Sequence, residues 1–318
     1  MNTRLNIKKL ALSTEFTVFI AYILICIAFT LLSPYFLTIK NFANIGIYSA
    51  ITGVTATGMT LALVSGGFDV SVGSVMALVT MVCATLLQGG TSTFFAIVLG
   101  LGTATLCGVF NATMITAVKI NPLITTLSTM SIFRGAAYLY TNGTSVIIQN
   151  EAFKWIGRGY LFNAVPFTIV LVLISFIIMA YVMKYTSFGR KVYAIGGNVV
   201  ASRFSGINVR RIRFGVFTLC GFMAGVSGVM LSSQTGAGLP TGAQGLEMDI
   251  IAACILGGTS LKGGKGTVWG SLLGILLLGT LNNGMTLMNV QTFWQMIVKG
   301  GVLLIAVVID VVRGGGYE

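Results

Sequence analysis

Residues 164–184 read AVPFTIVLVLISFIIMAYVMK, and residues 185–213 continue YTSFGRKVYAIGGNVVASRFSGINVRRIR. The first stretch is an almost unbroken apolar run, close to the roughly 20 residues a helix needs to cross a bilayer. Together they carry Lys184, Arg190, Lys191, Arg203, Arg210, Arg211 and Arg213 with no acid. An apolar run without a polar face, followed by a loop of one charge sign, reads as a membrane span and the loop beyond it. The pattern extends along the chain: apolar runs at residues 16–32, 44–65, 70–88, 93–118, 123–141, 214–235, 247–260, 267–288 and 292–312 bring the expectation to about ten spans.

The composition agrees. Of 318 residues 55% are hydrophobic and 8% charged, and the mean hydropathy is +0.94. No polar stretch is long enough to close a core of its own, which excludes a soluble enzyme and a single-pass receptor with a large ectodomain. The 41 glycines against 4 prolines suit helices packed backbone to backbone in lipid, and short alternating strands of the β-barrel kind are missing from the sequence. The expected fold is an all-α polytopic membrane protein, with residues 1–318 as one transmembrane domain. The run at 16–32 is read as a first span, not a signal peptide, because no small-x-small cleavage site follows it. The run at 247–260 is short and Gly-rich, as a broken helix shielded by protein would be.

The net charge of +12 has to be placed by membrane side before it suggests a partner, and it does not point to nucleic acid here. Arg4, Lys8, Lys9, Lys119, Lys262, Lys265 and Arg313 fall on the same side as residues 184–213, so both termini are expected in the cytoplasm. The loop at 141–163, of mixed charge, falls outside. Spans two to five and seven to ten then start from opposite sides, the arrangement of an inverted repeat with spans one and six as additions. An acid stands just beyond the first span of each half: Asp69 in GGFDVSVGS, and Glu247 with Asp249 in GLEMDIIAA.

Acids in membrane segments are disfavoured by about 2.5–3.5 kcal/mol at a helix centre, so these three are candidates for a substrate pathway, with Ser71 beside Asp69. The competing reading is that each carboxylate caps a helix start. Thr125, Thr126, Asn282 and Asn283 offer uncharged hydrogen bonds to a hydroxylated solute, against the simpler reading of helix–helix bonding. The chain has no histidine, and Cys26, Cys83, Cys107, Cys220 and Cys254 lie in apolar runs without CxxC spacing, so no metal, cofactor or disulfide framework is expected. The loop GGTSLKGGKGT from Gly257 misses phosphate-loop spacing and reads as a tight hairpin. Gly221 with Gly225, and Gly270 with Gly274, read as packing faces. No relay of titratable groups crosses the middle of the chain, so energy for transport has to come from elsewhere. Within residues 184–213, Val199, Val200, Ala201, Phe204 and Ile207 form the apolar side of a short helix capped by Asn198 and ended by Gly206, and that side needs a membrane surface or a partner protein.

Six segments carry a resemblance: NFANI near Asn41, SGGFDVSVGSVMAL from Ser65, INPLITTLSTMSIFRGAAYLYTNG from Ile120, FGRKVYAIGGNVVASRFSGINV from Phe188, LEMDIIAACILGGTSLKGGKGTVWGSLLG from Leu246, and LNNGMTLMNVQTFWQMIVKG from Leu281. The chain resembles the permease subunit of bacterial ABC importers for monosaccharides, the ribose, galactose and xylose group within the branched-chain amino acid permease superfamily. The resemblance implies a homodimeric or heterodimeric pore in the bacterial inner membrane, served by a periplasmic sugar-binding protein outside and an ABC ATPase subunit inside. It also implies that residues 184–213 dock the ATPase, with Gly196, Asn198, Ala201, Ser205 and Gly206 matching the family pattern. The chain departs from that pattern at Ser202-Arg203, where a second small residue is common, and at Phe68 and Val70 of the segment around Asp69. The expected function is ATP-driven import of a monosaccharide by a subunit that is not itself an enzyme. The alternatives are a permease for a sugar-derived signal or a branched-chain amino acid, and a secondary transporter that would run without an ATPase.

Overall fold

The computed structural model describes residues 14–313 and is helical nearly throughout. The helices are α1 Thr14–Leu32, α2 Ile39–Val64, α3 Val72–Gln88, α4 Thr93–Thr113, α5 Pro122–Leu139, α6 Glu151–Arg158, α7 Phe167–Tyr185, α8 Ser187–Gly197, α9 Val199–Phe204, α10 Val209–Thr235, α11 Leu246–Leu256, α12 Val268–Leu287 and α13 Thr292–Arg313. A π-turn, Met114–Val118, extends α4. Two short antiparallel pairs complete the chain: β1 Val146–Ile147 with β4 Ala237–Gly238, and β2 Tyr160–Leu161 with β3 Val165–Pro166. Arg4, Lys8 and Lys9, on which the expected side of the N-terminus rests, lie outside the described residues.

A helix stands at each stretch read as a span. Among the described residues, six helices are both long and apolar enough to cross a membrane by themselves: those at Glu15–Leu32, Ile39–Val64, Thr93–Val118, Phe167–Tyr185, Val209–Thr235 and Val268–Leu287. With 11 residues, α11 is only about 16 Å long at 1.5 Å per residue and cannot cross alone. The chain is therefore a polytopic helical membrane protein built partly from broken helices.

The core forms where α2 and α3 are buried along most of their length against α10, α11 and α12. Hydroxyl groups link its helices. Thr55 Oγ1 donates to Ser227 Oγ (2.8 Å), which donates to the Ile51 carbonyl (2.7 Å), tying α2 to α10. Thr60 and Ser271 hydroxyls lie 2.7 Å apart across α2 and α12. In contrast α1, α5, α7 and α13 present large apolar side chains such as Leu24, Leu127, Ile177 and Ile305 on their outer faces. In water those faces would drive aggregation, and they suit a lipid or a second apolar protein surface.

Two departures from continuous helix place the candidate site. Residues 65–71 leave the end of α2 and fold back into the body before α3 begins. Residues 236–245 do the same after α10. Because α2 and α10 run antiparallel, as the Gly58–Cys220 and Thr55–Ser227 contacts require, the two segments enter from opposite ends. The expected external loop also holds more structure than its sequence promised. Asn150 Oδ1 accepts from Phe153 N (2.9 Å) to cap α6, Phe153 is fully buried, and Gly157 N donates to Ser233 Oγ (2.6 Å) on α10.

The crossing of α4 and α10 depends on missing side chains. A Cβ at Gly221 would stand 2.6 Å from Gly108 Cα and 2.9 Å from the Ala104 carbonyl, and both are backbone atoms that cannot turn aside. Gly221→Val is expected to lower stability by about 1–3 kcal/mol. Gly102→Ala, on the same α4 but with open space around it, is expected to leave stability unchanged. Thermal unfolding midpoints of the two variants in detergent check this.

Candidate functional site

The deepest polar cluster is built around the first re-entrant segment. Asp69 is 1% exposed. Its Oδ1 accepts from Ser71 N (2.8 Å) and Ser71 Oγ (2.6 Å), and Asn111 Nδ2 on α4 reaches Asp69 Oδ2 (3.4 Å) and Ser71 Oγ (2.9 Å). The D-x-S spacing thus makes an Asx-turn that leads the backbone into α3. Asp69 and Ser71 are thus tied to each other and to Asn111.

The second cluster gathers at the start of α11. Glu247 Oε1 accepts from Gly245 N (3.2 Å), while Glu247 Oε2 is buried without a hydrogen bond among the described residues. It lies against Gly73 in the first turn of α3, where any Cβ would overlap the carboxylate. The two broken helices therefore meet at their starts, and a glycine makes the meeting possible. The nearby positive charge is Arg134 on α5, whose Nη1 donates to the carbonyls of Pro240 (3.0 Å) and Gly242 (2.7 Å). Thr80 on α3 completes the hold, since Leu239 N donates to Thr80 Oγ1 (3.0 Å).

Asp249, two residues further along the same helix, faces another way. Its Oδ2 lies 2.8 Å from Lys299 Nζ on α13, with Tyr48 and Thr52 of α2 beside the pair. Neither Arg134 nor Lys299 was among the residues singled out in the sequence, although each is a lone cation within an apolar helix, the signal that drew attention to the acids. Thr125 and Thr126 do not join these clusters. Their hydroxyls bond back to the Asn121 (3.0 Å) and Pro122 (2.9 Å) carbonyls of their own helix. Asn283 Nδ2 donates to Asn41 Oδ1 (2.9 Å) near the opposite end of α2, and the Asn282 carbonyl accepts from Thr286 (2.8 Å). The eight candidate pathway residues thus fall into separate groups. No group of three metal-ligating side chains occurs among the described residues.

The internal loop forms two helices. Asn198 Oδ1 accepts from Ala201 N (2.9 Å) and caps α9, and Gly206 at φ +77° ends it. Gly196 presses α8 against the end of α2, because a Cβ there would overlap the Val64 carbonyl. The backbone N–H of Gly264 also reaches that carbonyl (2.9 Å), and the Tyr193 hydroxyl donates to Gly266 O (2.8 Å). Burial pushes the Tyr193 phenol above its ordinary pKa, so it stays a neutral donor. Ala201 and Ser205 are exposed. Val200 is 61% and Phe204 89% exposed, one helical turn apart on one face.

The Asp249–Lys299 pair yields a test. Removing one charge leaves the other half-buried and unpaired, which destabilises more than removing both. Asp249→Asn and Lys299→Met are each expected to lower the unfolding midpoint, and the double variant to recover part of the loss, with a coupling energy of about 0.5–3 kcal/mol. A double-mutant cycle on thermal unfolding measures it.

Comparison with known proteins places this architecture. A family described as "branched-chain amino acid transport system / permease component" matches residues 41–307. The ribose import permease protein of Bacillus subtilis (strain 168) is 40% identical over 294 residues, covering 92% of this chain and 91% of that protein. The ribose import permease protein of Escherichia coli (strain K12) is 39% identical over 292 residues, covering 91% and 90%. The L-arabinose transport system permease protein of the same strain is 38% identical over 296 residues, covering 93% and 90%. No solved structure matches the chain. With a match over most of its length, and with re-entrant segments and broken helices of a membrane transporter, the chain belongs to the family of branched-chain amino acid transport system permease components.

Proposed function

We propose that the chain is the membrane-spanning permease subunit of an ATP-driven importer that moves a monosaccharide across the bacterial inner membrane. The relatives named for ribose and L-arabinose support a sugar as the solute. The single observation that carries the coupling is the apolar pair Val200 and Phe204, displayed on a helix capped at Asn198 and fixed to the body through Gly196. An exposed apolar knob on a rigid mount is suited to a groove in a partner protein. The proposed occupant is the ATPase subunit, and residues 184–213 act as the coupling loop within a single permease domain. A second permease copy or homologue and a periplasmic sugar-binding protein complete the proposed assembly.

The orientation is part of the proposal. Lys119, Arg203, Arg210, Arg213, Lys262 and Lys265 gather at the end of the bundle where α2 finishes. Positive residues favour the cytoplasmic side, so this end is assigned inward and both termini with it. Ten crossings follow if α3, α5 and α13 span and α11 spans together with its re-entrant lead. The entry of residues 65–71 and 236–245 from opposite ends supports the inverted repeat of α2–α5 and α10–α13.

In cysteine-free protein, a single cysteine placed at Phe162 is expected to label from outside intact cells, and one at Ser205 only after permeabilisation. The reverse pattern contradicts the orientation. Phe204→Asp is expected to cut sugar uptake by at least about tenfold, equivalent to about 1.4 kcal/mol of lost coupling. The ATPase is expected to stop co-purifying while permease abundance stays near normal. Unchanged uptake and co-purification would make α9 a membrane-surface helix.

A further inference from the structure

The glycine hairpin between α11 and α12, GGTSLKGGKGT from Gly257, misses the spacing of a phosphate loop, and docking of a partner at α9 leaves it without a task. Its place in the fold gives it one. The hairpin sits between the end of α2 and the end of α8, and its glycines meet theirs with no side chain between them. A Cβ at Gly263 would stand 2.9 Å from both Gly66 N and Gly66 Cα, and 3.1 Å from Gly196 Cα. A Cβ at Gly264 would stand 2.8 Å from both Gly197 N and Gly197 Cα. Gly264 N donates to the Val64 carbonyl (2.9 Å), the same carbonyl that a Cβ on Gly196 would overlap. Gly263 and Gly264 lie at φ +86° and +73°, so the close approach and the backbone conformation both call for glycine.

Three segments therefore touch backbone to backbone: the start of the first re-entrant segment at Gly66, the hairpin, and the junction of α8 with α9. Side chains that meet at a contact can repack and absorb a displacement, whereas close-packed backbone atoms transmit it. The hairpin is also continuous with the second broken helix. At its α11 end, Gly257 and Gly270 face each other where a Cβ on either would overlap the other's carbonyl, and a Cβ on Gly274 would overlap the Ala253 carbonyl. So α11 and α12 are seated on each other in the same side-chain-free way. At its α12 end, Thr267 Oγ1 accepts from Gly270 N (2.9 Å) to cap α12 and donates to Glu15 Oε1 on α1. A side chain braces the hairpin against α8: the Tyr193 hydroxyl donates to the Gly266 carbonyl (2.8 Å). Gly197 has open space where its own Cβ would be, so the contact is confined to one side of α8.

We propose that this glycine joint passes a movement of α9 to both broken elements together, to residues 65–71 through Gly66 and to α11 through the hairpin, and that Tyr193 is the residue that positions it. Tyr193 stands on α8, apart from the exposed Val200 and Phe204 of α9, so its part is in transmission and not in docking. The inference rests on the proposed docking of an ATPase at α9.

The test uses the full chain in proteoliposomes with an ABC ATPase subunit and a periplasmic sugar-binding protein, counting labelled ribose imported and ATP hydrolysed in the same vesicles. Tyr193→Phe removes the hydroxyl and keeps the ring. It is expected to lower the ribose imported per ATP hydrolysed by at least about threefold, as loss of one hydrogen bond predicts. Basal ATP hydrolysis, ATPase co-purification and permease abundance are expected to stay near wild type. Gly196→Ala, which drives a methyl group into the joint, is expected to lower the same ratio further, and Gly197→Ala to leave it unchanged. Tyr193→Phe decides alone if Gly196→Ala fails to purify. An unchanged ratio in Tyr193→Phe beside a coupled wild type would overturn the proposal and leave the docking at α9 standing. Loss of ATPase co-purification in Tyr193→Phe would make Tyr193 part of the docking surface and overturn it. A proportional fall in import and hydrolysis would mean a general loss of structure and also overturn it. Import by wild type without the ATPase would sink the docking reading, and this inference with it.

Discussion

Backbone inside a bilayer has no water to bond, so every stretch that leaves the helical pattern needs partners from the protein itself. Residues 236–245 meet this constraint through the Arg134 guanidinium, which donates to the Pro240 and Gly242 carbonyls, and through Thr80, which pairs with Leu239. Much else follows from that hold. It sets how deep α11 begins, and therefore why 11 residues suffice for it. It brings Glu247 against Gly73, and it aligns Asp249 with Lys299. Residues 65–71 solve the same problem by a different device, an Asx-turn at Asp69 braced by Asn111.

The buried charges are consequently part of the scaffold. Asp69 is saturated by hydrogen bonds, Asp249 is paired with a lysine, and Glu247 meets a backbone amide and the field of Arg134. They sit in separate clusters, with no connected relay from one end of the bundle to the other among the hydrogen bonds of the described residues. Val200 and Phe204 are exposed at the basic end on α9, and α8 is held through Gly196 to the end of α2. In the proposed assembly this is where an ATPase would act on the segment at 65–71.

The spans were legible in the sequence because bilayer thickness sets a length that apolar runs either reach or miss. The short eighth run was legible for the same reason, since it fell below that length. The ends of α9 could be read because Asn198 and Gly206 act on their own neighbours. What escaped were interactions between residues far apart in sequence. Asp249 and Lys299 carry no spacing that pairs them, so an acid that looked isolated was in fact matched. Spacing alone also did not show that the Thr125 and Thr126 hydroxyls bond back to backbone carbonyls one turn earlier. The helix α6 was hidden because eight residues in a polar loop are too few for periodicity to register.

The most direct measurement is uptake by the purified chain in proteoliposomes, together with an ABC ATPase subunit and a periplasmic sugar-binding protein, using labelled ribose and arabinose. Import is predicted to require ATP hydrolysis and to continue unchanged when the proton gradient is collapsed. Import by the chain without the ATPase, driven by an imposed ion gradient, would contradict the account.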